Sequence, residues 1–150
     1  MLGELDAAAI EGLLQTEITG RIGCHAQGRT YVVPITYVYE SGSVYGHSTE
    51  GLKVRMMREN PRVCFEVDRV RGPGDWESVI AWGEFRELKG AGAIEAFNLL
   101  MRHGRMPAGS NIHPSYVLRG SGPLAPSEDG RTVLLYRIEL SEKTGRFERS

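Results

Sequence analysis

Thr30-Tyr31-Val32-Val33-Pro34-Ile35-Thr36-Tyr37-Val38-Tyr39 is the stretch on which the fold turns. β-Branched and aromatic residues fill both of its alternating faces, which predicts a strand covered on both sides. Pro34 cannot donate to a ladder, so it marks an edge, a bulge or an interruption of pairing. Upstream, Arg21 to Ala26 reads as a short strand with Ile22 and Cys24 on one face, and Gln27-Gly28-Arg29 as a tight turn. Downstream, Glu40-Ser41-Gly42 is a hairpin turn into a strand over Ser43 to Gly46. Two adjacent strands therefore deliver Pro34-Ile35-Thr36 and Gly46-His47-Ser48 to neighbouring places.

The second of these strands ends in a polar cluster, His47-Ser48-Thr49-Glu50, and Gly51 then leads into a helix over Gly51 to Glu59. Leu52, Met56 and Met57 face inward and Arg55 and Arg58 outward, and Asn60-Pro61 ends the helix. The cluster sets hydroxyls, an imidazole and the Lys53 ammonium beside a helix N-terminus. Exposed N–H groups and the helix dipole favour an anion there. Lys53 by itself is badly placed against that dipole, and a bound phosphate would reverse the penalty.

Asp6 caps a first helix through about Gln15, with Ala7, Ile10, Leu13 and Leu14 as its apolar stripe. Arg62 to Arg69 is a strand with Val63, Phe65 and Val67 on one face, and Val70 to Glu77 a loop. Ser78 to Leu88 is a strand in which Ile80, Trp82 and Leu88 alternate against Val79, Ala81 and Phe85. A helix follows over Ala91 to Arg102, with Ile94, Phe97, Leu100 and Met101 at helical spacing. His103 to Gly130 is an irregular segment long enough to suggest a functional loop or lid. Thr132 to Ser141 is the last strand and Glu142 to Ser150 a polar tail. About six antiparallel strands with few helices predict a mostly β, barrel-like sheet with peripheral helices, in one domain over 1–150.

The 150 residues are 41% hydrophobic and 25% charged, enough apolar material for one core. A net charge of -1 offers no field for nucleic acid. No run approaches the ~18 apolar residues of a membrane span, and the N-terminus lacks a signal-peptide pattern, so a cytoplasmic location is expected. Cys24 and Cys64 are expected to be buried, reduced thiols. His103 and His113 lack a third ligand at a convincing spacing, so no metal site is expected. There is no G-x-G-x-x-G, no P-loop and no nucleophile–base pair.

Several runs, taken in order, resemble a known family. They are Gly20-Arg21-Ile22-Gly23, Tyr31 to Tyr37, Tyr45-Gly46-His47-Ser48, Gly51-Leu52-Lys53, Asn60 to Val67 and Ser78 to Gly83. Together they look like the pyridoxamine 5′-phosphate oxidase-like FMN-binding split barrels, in the branch similar to 5-nitroimidazole resistance reductases. The resemblance implies a six-stranded antiparallel split β-barrel and a homodimer with FMN at the subunit interface. It implies a flavin-dependent oxidoreductase acting on a small molecule, with NADH or NADPH as reductant. The flavin ring would lie on Val33, Pro34, Ile35 and Thr36, and the phosphate and ribityl chain on His47, Ser48 and Lys53. The C-terminal Arg-and-His motif of true pyridoxamine phosphate oxidases has no match in Thr144 to Ser150, so vitamin B6 oxidation is not expected.

Each of these residues also has a plainer reading. Lys53 could be a solvated surface lysine, and Ser48 and Thr36 polar strand residues. Trp82 reads first as core or dimer interface and second as a stacking partner for a flavin, and Tyr45 and Tyr37 are treated alike. For His47, cofactor contact is favoured over acid/base work, and no residue is assigned as catalytic. A deazaflavin- or haem-binding split barrel and a non-catalytic flavin-sensing dimer are the alternatives.

Overall fold

The computed structural model describes residues 1–107 and 133–150, so most of the 103–130 segment, His113 included, lies outside the described residues. In chain order the elements are β1 (Leu2–Glu4), α1 (Ala7–Thr16), β2 (Thr19–Ala26), β3 (Arg29–Thr36), β4 (Val38–Glu40) and β5 (Ser43–Thr49). Then come α2 (Leu52–Glu59), β6 (Arg62–Gly72), β7 (Asp75–Leu88), α3 (Gly90–Arg102) and β8 (Val133–Glu148).

All eight strands form one antiparallel sheet in the order β3-β2-β6-β7-β8-β5-β4, with β1 added beside β8. The two ends of that path, β3 and β4, are consecutive pieces of one extended run, broken only at Tyr37. The sheet therefore returns on itself as a ring of six runs, β2, β3 with β4, β5, β8, β7 and β6. This is the expected split barrel. It carries two strands more than expected because the Thr30–Tyr39 run is divided and because β1 forms.

The turns follow the predicted chemistry. Gln27 and Gly28 (φ 52° and 74°) and Ser41 and Gly42 (φ 50° and 80°) take the left-handed conformations that tight hairpins need. Asp6 caps α1, its carboxylate accepting from the Ala9 amide at 2.8 Å. Ile10, Leu13 and Leu14 of α1 and Val54, Met56 and Met57 of α2 join the core inside the ring, with Ile22, Phe65, Val67 and Tyr136. Helix α3 packs on the outside, where Ala93, Ala96, Leu99 and Leu100 cover Val38 and Leu135. Small residues supply most of that face. Ile94 and Phe97 are only half-buried and Met101 is exposed, against expectation.

Four other expectations are corrected. The Thr30–Tyr39 run is not covered on both faces: Val32 is 62% exposed, and among the described residues β3 is an edge strand pairing only with β2. Pro34 stands on that edge, where a missing amide is tolerated. Residues 70–77 are the end of a long hairpin, with Val70 opposite Trp76 and Gly72 opposite Asp75. The polar tail is a strand to Glu148, paired with β7 on one side and β1 on the other. Cys24 is buried, Cys64 only half-buried, and both are free.

Candidate functional site

The break at Tyr37 creates the site's geometry. Its amide donates to the Ile18 carbonyl (3.1 Å) and its hydroxyl to the Leu14 carbonyl (2.7 Å). Arg105 Nε donates to its carbonyl at 3.2 Å. Before the break the run pairs with β2; after it, only Val38 to Glu40 pair with β5. That ladder stops at Val38 opposite Tyr45, so on this side Gly46 to Thr49 have no strand partner among the described residues. Among the described residues β3 likewise has an open edge on the side away from β2. The split thus carries two lines of backbone groups outside any ladder, which a ligand can use.

Strand β5 runs on to Thr49, so His47 and Ser48 lie within it instead of following it. Alternation sends them to opposite faces. Gly46 and Ser48 sit opposite Tyr136 and Leu134, which belong to the inner core. Tyr45 and His47 flank and face with Leu135, on the α3 side. The Ser48 hydroxyl donates to the Thr49 carbonyl at 2.9 Å.

Lys53 is in the first turn of α2. It is half-buried, and its Nζ lies 5.8 Å from the centre of the Tyr136 ring. Burial lowers its pKa from the ordinary lysine value, and the nearby Cys24 thiol opposes that shift. No carboxylate among the described residues pairs with it. Burial and then the Lys53 ammonium hold the His47 imidazole below its usual range, while a hydrogen bond with the Arg105 backbone raises it. His47 and Lys53 are therefore brought within electrostatic reach of each other. A half-buried cation within electrostatic reach of an imidazole, with no carboxylate paired to it among the described residues, fits an anionic group such as a phosphate.

The remaining candidates are dispersed. Ile35 is buried in the core and Val33 packs against it, so their side chains are engaged inside and only their backbone faces the edge. Pro34 and Thr36 are exposed on β3. Trp82 is not core: it is 40% exposed on the outer face, in a cleft of about 770 Å³ with Val32, Gly23, Cys64 and Leu140. Tyr45 lines a separate cleft of about 250 Å³ against α3, with Glu40, Glu95, Arg102 and Arg137. Sequence reasoning missed Tyr136, Cys24 and Arg105 as neighbours of the cluster. Among the described residues no three His, Cys, Asp or Glu side chains converge as a metal site would require.

A family model described as pyridoxamine 5′-phosphate oxidase matches residues 6–147. An uncharacterised protein of Rhizobium meliloti is 27% identical over 140 residues, 91% of this chain and 88% of its own. Among solved structures, a FAD-binding protein from Mesorhizobium loti is similar at TM-score 0.73 and 26% identity, over 99% of each chain. A candidate 5-nitroimidazole antibiotic resistance protein from Bacteroides thetaiotaomicron is similar at TM-score 0.72 and 21% identity, over 98% of this chain and 87% of its own. At that lower identity the likeness is one of fold.

Proposed function

The chain belongs to the pyridoxamine 5′-phosphate oxidase family, and from there we propose that it is a flavin-dependent oxidoreductase holding FMN at the split of the barrel. The observation that carries this reading is the half-buried Lys53 ammonium, which no carboxylate of the described residues neutralises. Lys53 holds the phosphate, with His47 and Ser48 beside it. The open backbone edge over Val33, Pro34, Ile35 and Thr36 supports the ring system. The flavin, when bound, supplies the hydride or electron chemistry. The residues of this chain bind it, orient it and keep water from it, and no side chain has to act as a general acid or base.

A homodimer is part of the proposal, with Trp82 and the outer face near the interface and the cofactor between subunits. NADH or NADPH is the proposed reductant and a small molecule, nitroaromatic compounds among the candidates, the oxidant. FAD is the second reading, favoured by the FAD-binding relative from Mesorhizobium loti.

The visible absorbance of the purified protein tests the cofactor class. An oxidised-flavin spectrum supports the reading; a deazaflavin or haem spectrum, or a colourless protein that takes up no flavin, overturns it. Mass spectrometry of the released cofactor separates FMN from FAD. Lys53→Ala is expected to weaken FMN binding by about 1.5–3 kcal/mol, the scale of a charge-assisted hydrogen bond. Unchanged affinity would remove Lys53 from the site. Reduction by NADPH followed by a nitro-compound panel separates an enzyme from a passive binder: no reoxidation above the oxygen background favours the binder.

A further inference from the structure

A cation at the start of a helix needs something to hold it. The α2 dipole repels the Lys53 ammonium, and its four-carbon stem is flexible. A carboxylate would hold it, but would also cancel the charge that an anionic ligand needs. An aromatic face attracts a cation and leaves its net charge intact. In this structure the nearest such face is Tyr136.

Three strands fix that ring. Tyr136 stands on β8 directly opposite Gly46 of β5. A Cβ at position 46 would come within 2.5 Å of the Tyr136 hydroxyl oxygen and 2.7 Å of the ring carbon bearing it. The ring can lie across β5 only because residue 46 has no side chain. From β7, Phe85 braces it at 5.5 Å between centroids, tilted by 40°. Tyr136 is fully buried, and its hydroxyl finds no hydrogen-bond partner among the described residues.

We propose that Tyr136 is a positioning residue for the phosphate end of the flavin: its ring, laid over Gly46, holds the Lys53 ammonium at the split without neutralising it. This rests on the reading of Lys53 as the phosphate-binding cation. It also accounts for glycine in the Tyr45-Gly46-His47-Ser48 run.

The test compares the affinities of the full chain for FMN and for riboflavin, which lacks the phosphate. The ratio of the two dissociation constants isolates the phosphate contribution. Tyr136→Phe keeps the ring and is expected to keep the ratio within about twofold. Tyr136→Leu removes it and is expected to lower the preference for FMN about threefold to tenfold, with riboflavin affinity little changed. Lys53→Ala is the reference. If it leaves the ratio unchanged, the phosphate reading fails and the inference with it. If it collapses the ratio while folded Tyr136→Leu does not, the inference alone is overturned. Loss of the ratio in Tyr136→Phe would also overturn it, since the hydroxyl would then be the working group. Should Tyr136→Leu not fold, proton NMR of the wild-type chain decides: Lys53 ε-methylene signals are expected upfield of their unfolded position, and signals at that position would sink the proposal.

Discussion

His47 is kept neutral by where it sits. Burial first, and the Lys53 ammonium second, lower its pKa below the ordinary value of 6.5. Above that value both folded and unfolded chains carry a neutral imidazole, and His47 adds no pH dependence. Below it the unfolded chain takes the proton first, so stability falls with falling pH until the folded imidazole titrates too. In the cofactor-free protein His47→Gln is therefore expected to lose less stability than wild type between about pH 7 and pH 5. Urea midpoints at the two pH values measure this, and equal losses in both proteins would remove His47 as a source. At this scale the site was half legible. Lys53 could be picked out as a candidate because the polar cluster, Gly51 and the helix start are contiguous in sequence. Tyr136 was not, because it lies far along the chain from Gly46 and meets it only through the β5–β8 register. Tyr45 was read with the site, yet it shares the α3-side face with His47 and lines a different cleft, against Glu95 and Arg102.

Elements were read well where a periodic pattern ran between strong stops, as in α1, α2 and β6. They were misread where pairing, not pattern, makes the strand. Glu142 to Glu148 are polar by composition, but Gly145 is buried against Leu5 and Ile10, and the segment is held between β7 and β1. Likewise Val70 to Glu77 hold two glycines and a proline, yet long cross-strand pairing carries β6 and β7 through most of them. The β7–β8 ladder also has a register shift between Trp82 and Gly83. There a Cβ on Gly83 would lie 2.1 Å from the Glu139 carbonyl oxygen, a backbone atom that cannot swing aside. Gly83→Ala is expected to destabilise by more than about 2 kcal/mol, as overpacking against a fixed wall does. Gly12 in α1 has nothing within 4 Å of its missing Cβ. Gly12→Ala is expected to stabilise by about 0.5–1 kcal/mol through helix propensity. Thermal unfolding of the two variants should move in opposite directions, and a shared direction would contradict this account of the two sites.

At the scale of the whole molecule, the ring leaves several apolar residues exposed on its outer face. One cross-strand row runs Val32, Gly23, Cys64, Trp82 from β3 to β7. In the next row Pro34 and Ile80 flank the Arg21–Glu66 ion pair, and Val32, Ile80 and Trp82 are 62%, 42% and 40% exposed. Exposed apolar residues grouped in this way are expected to be covered by a second copy of the chain. Sedimentation should then give about twice the 16.6 kDa of one chain, and Ile80→Glu should shift it toward monomer. A wild-type monomer at micromolar concentration would exclude this interface. The sequence alone determined the strand-rich class and the turns, and it marked Pro34 as a ladder irregularity and Lys53 as a candidate, because each is written in adjacent residues whose propensities need no distant partner. Only the tertiary structure decided where the barrel splits, which way each side chain of β5 faces, and that Trp82 lies outside the core while Tyr136 lies beneath Lys53. Those outcomes depend on pairing between strands far apart in the chain, and a shift of one residue in register would turn the side chains of the slipped strand to the opposite face.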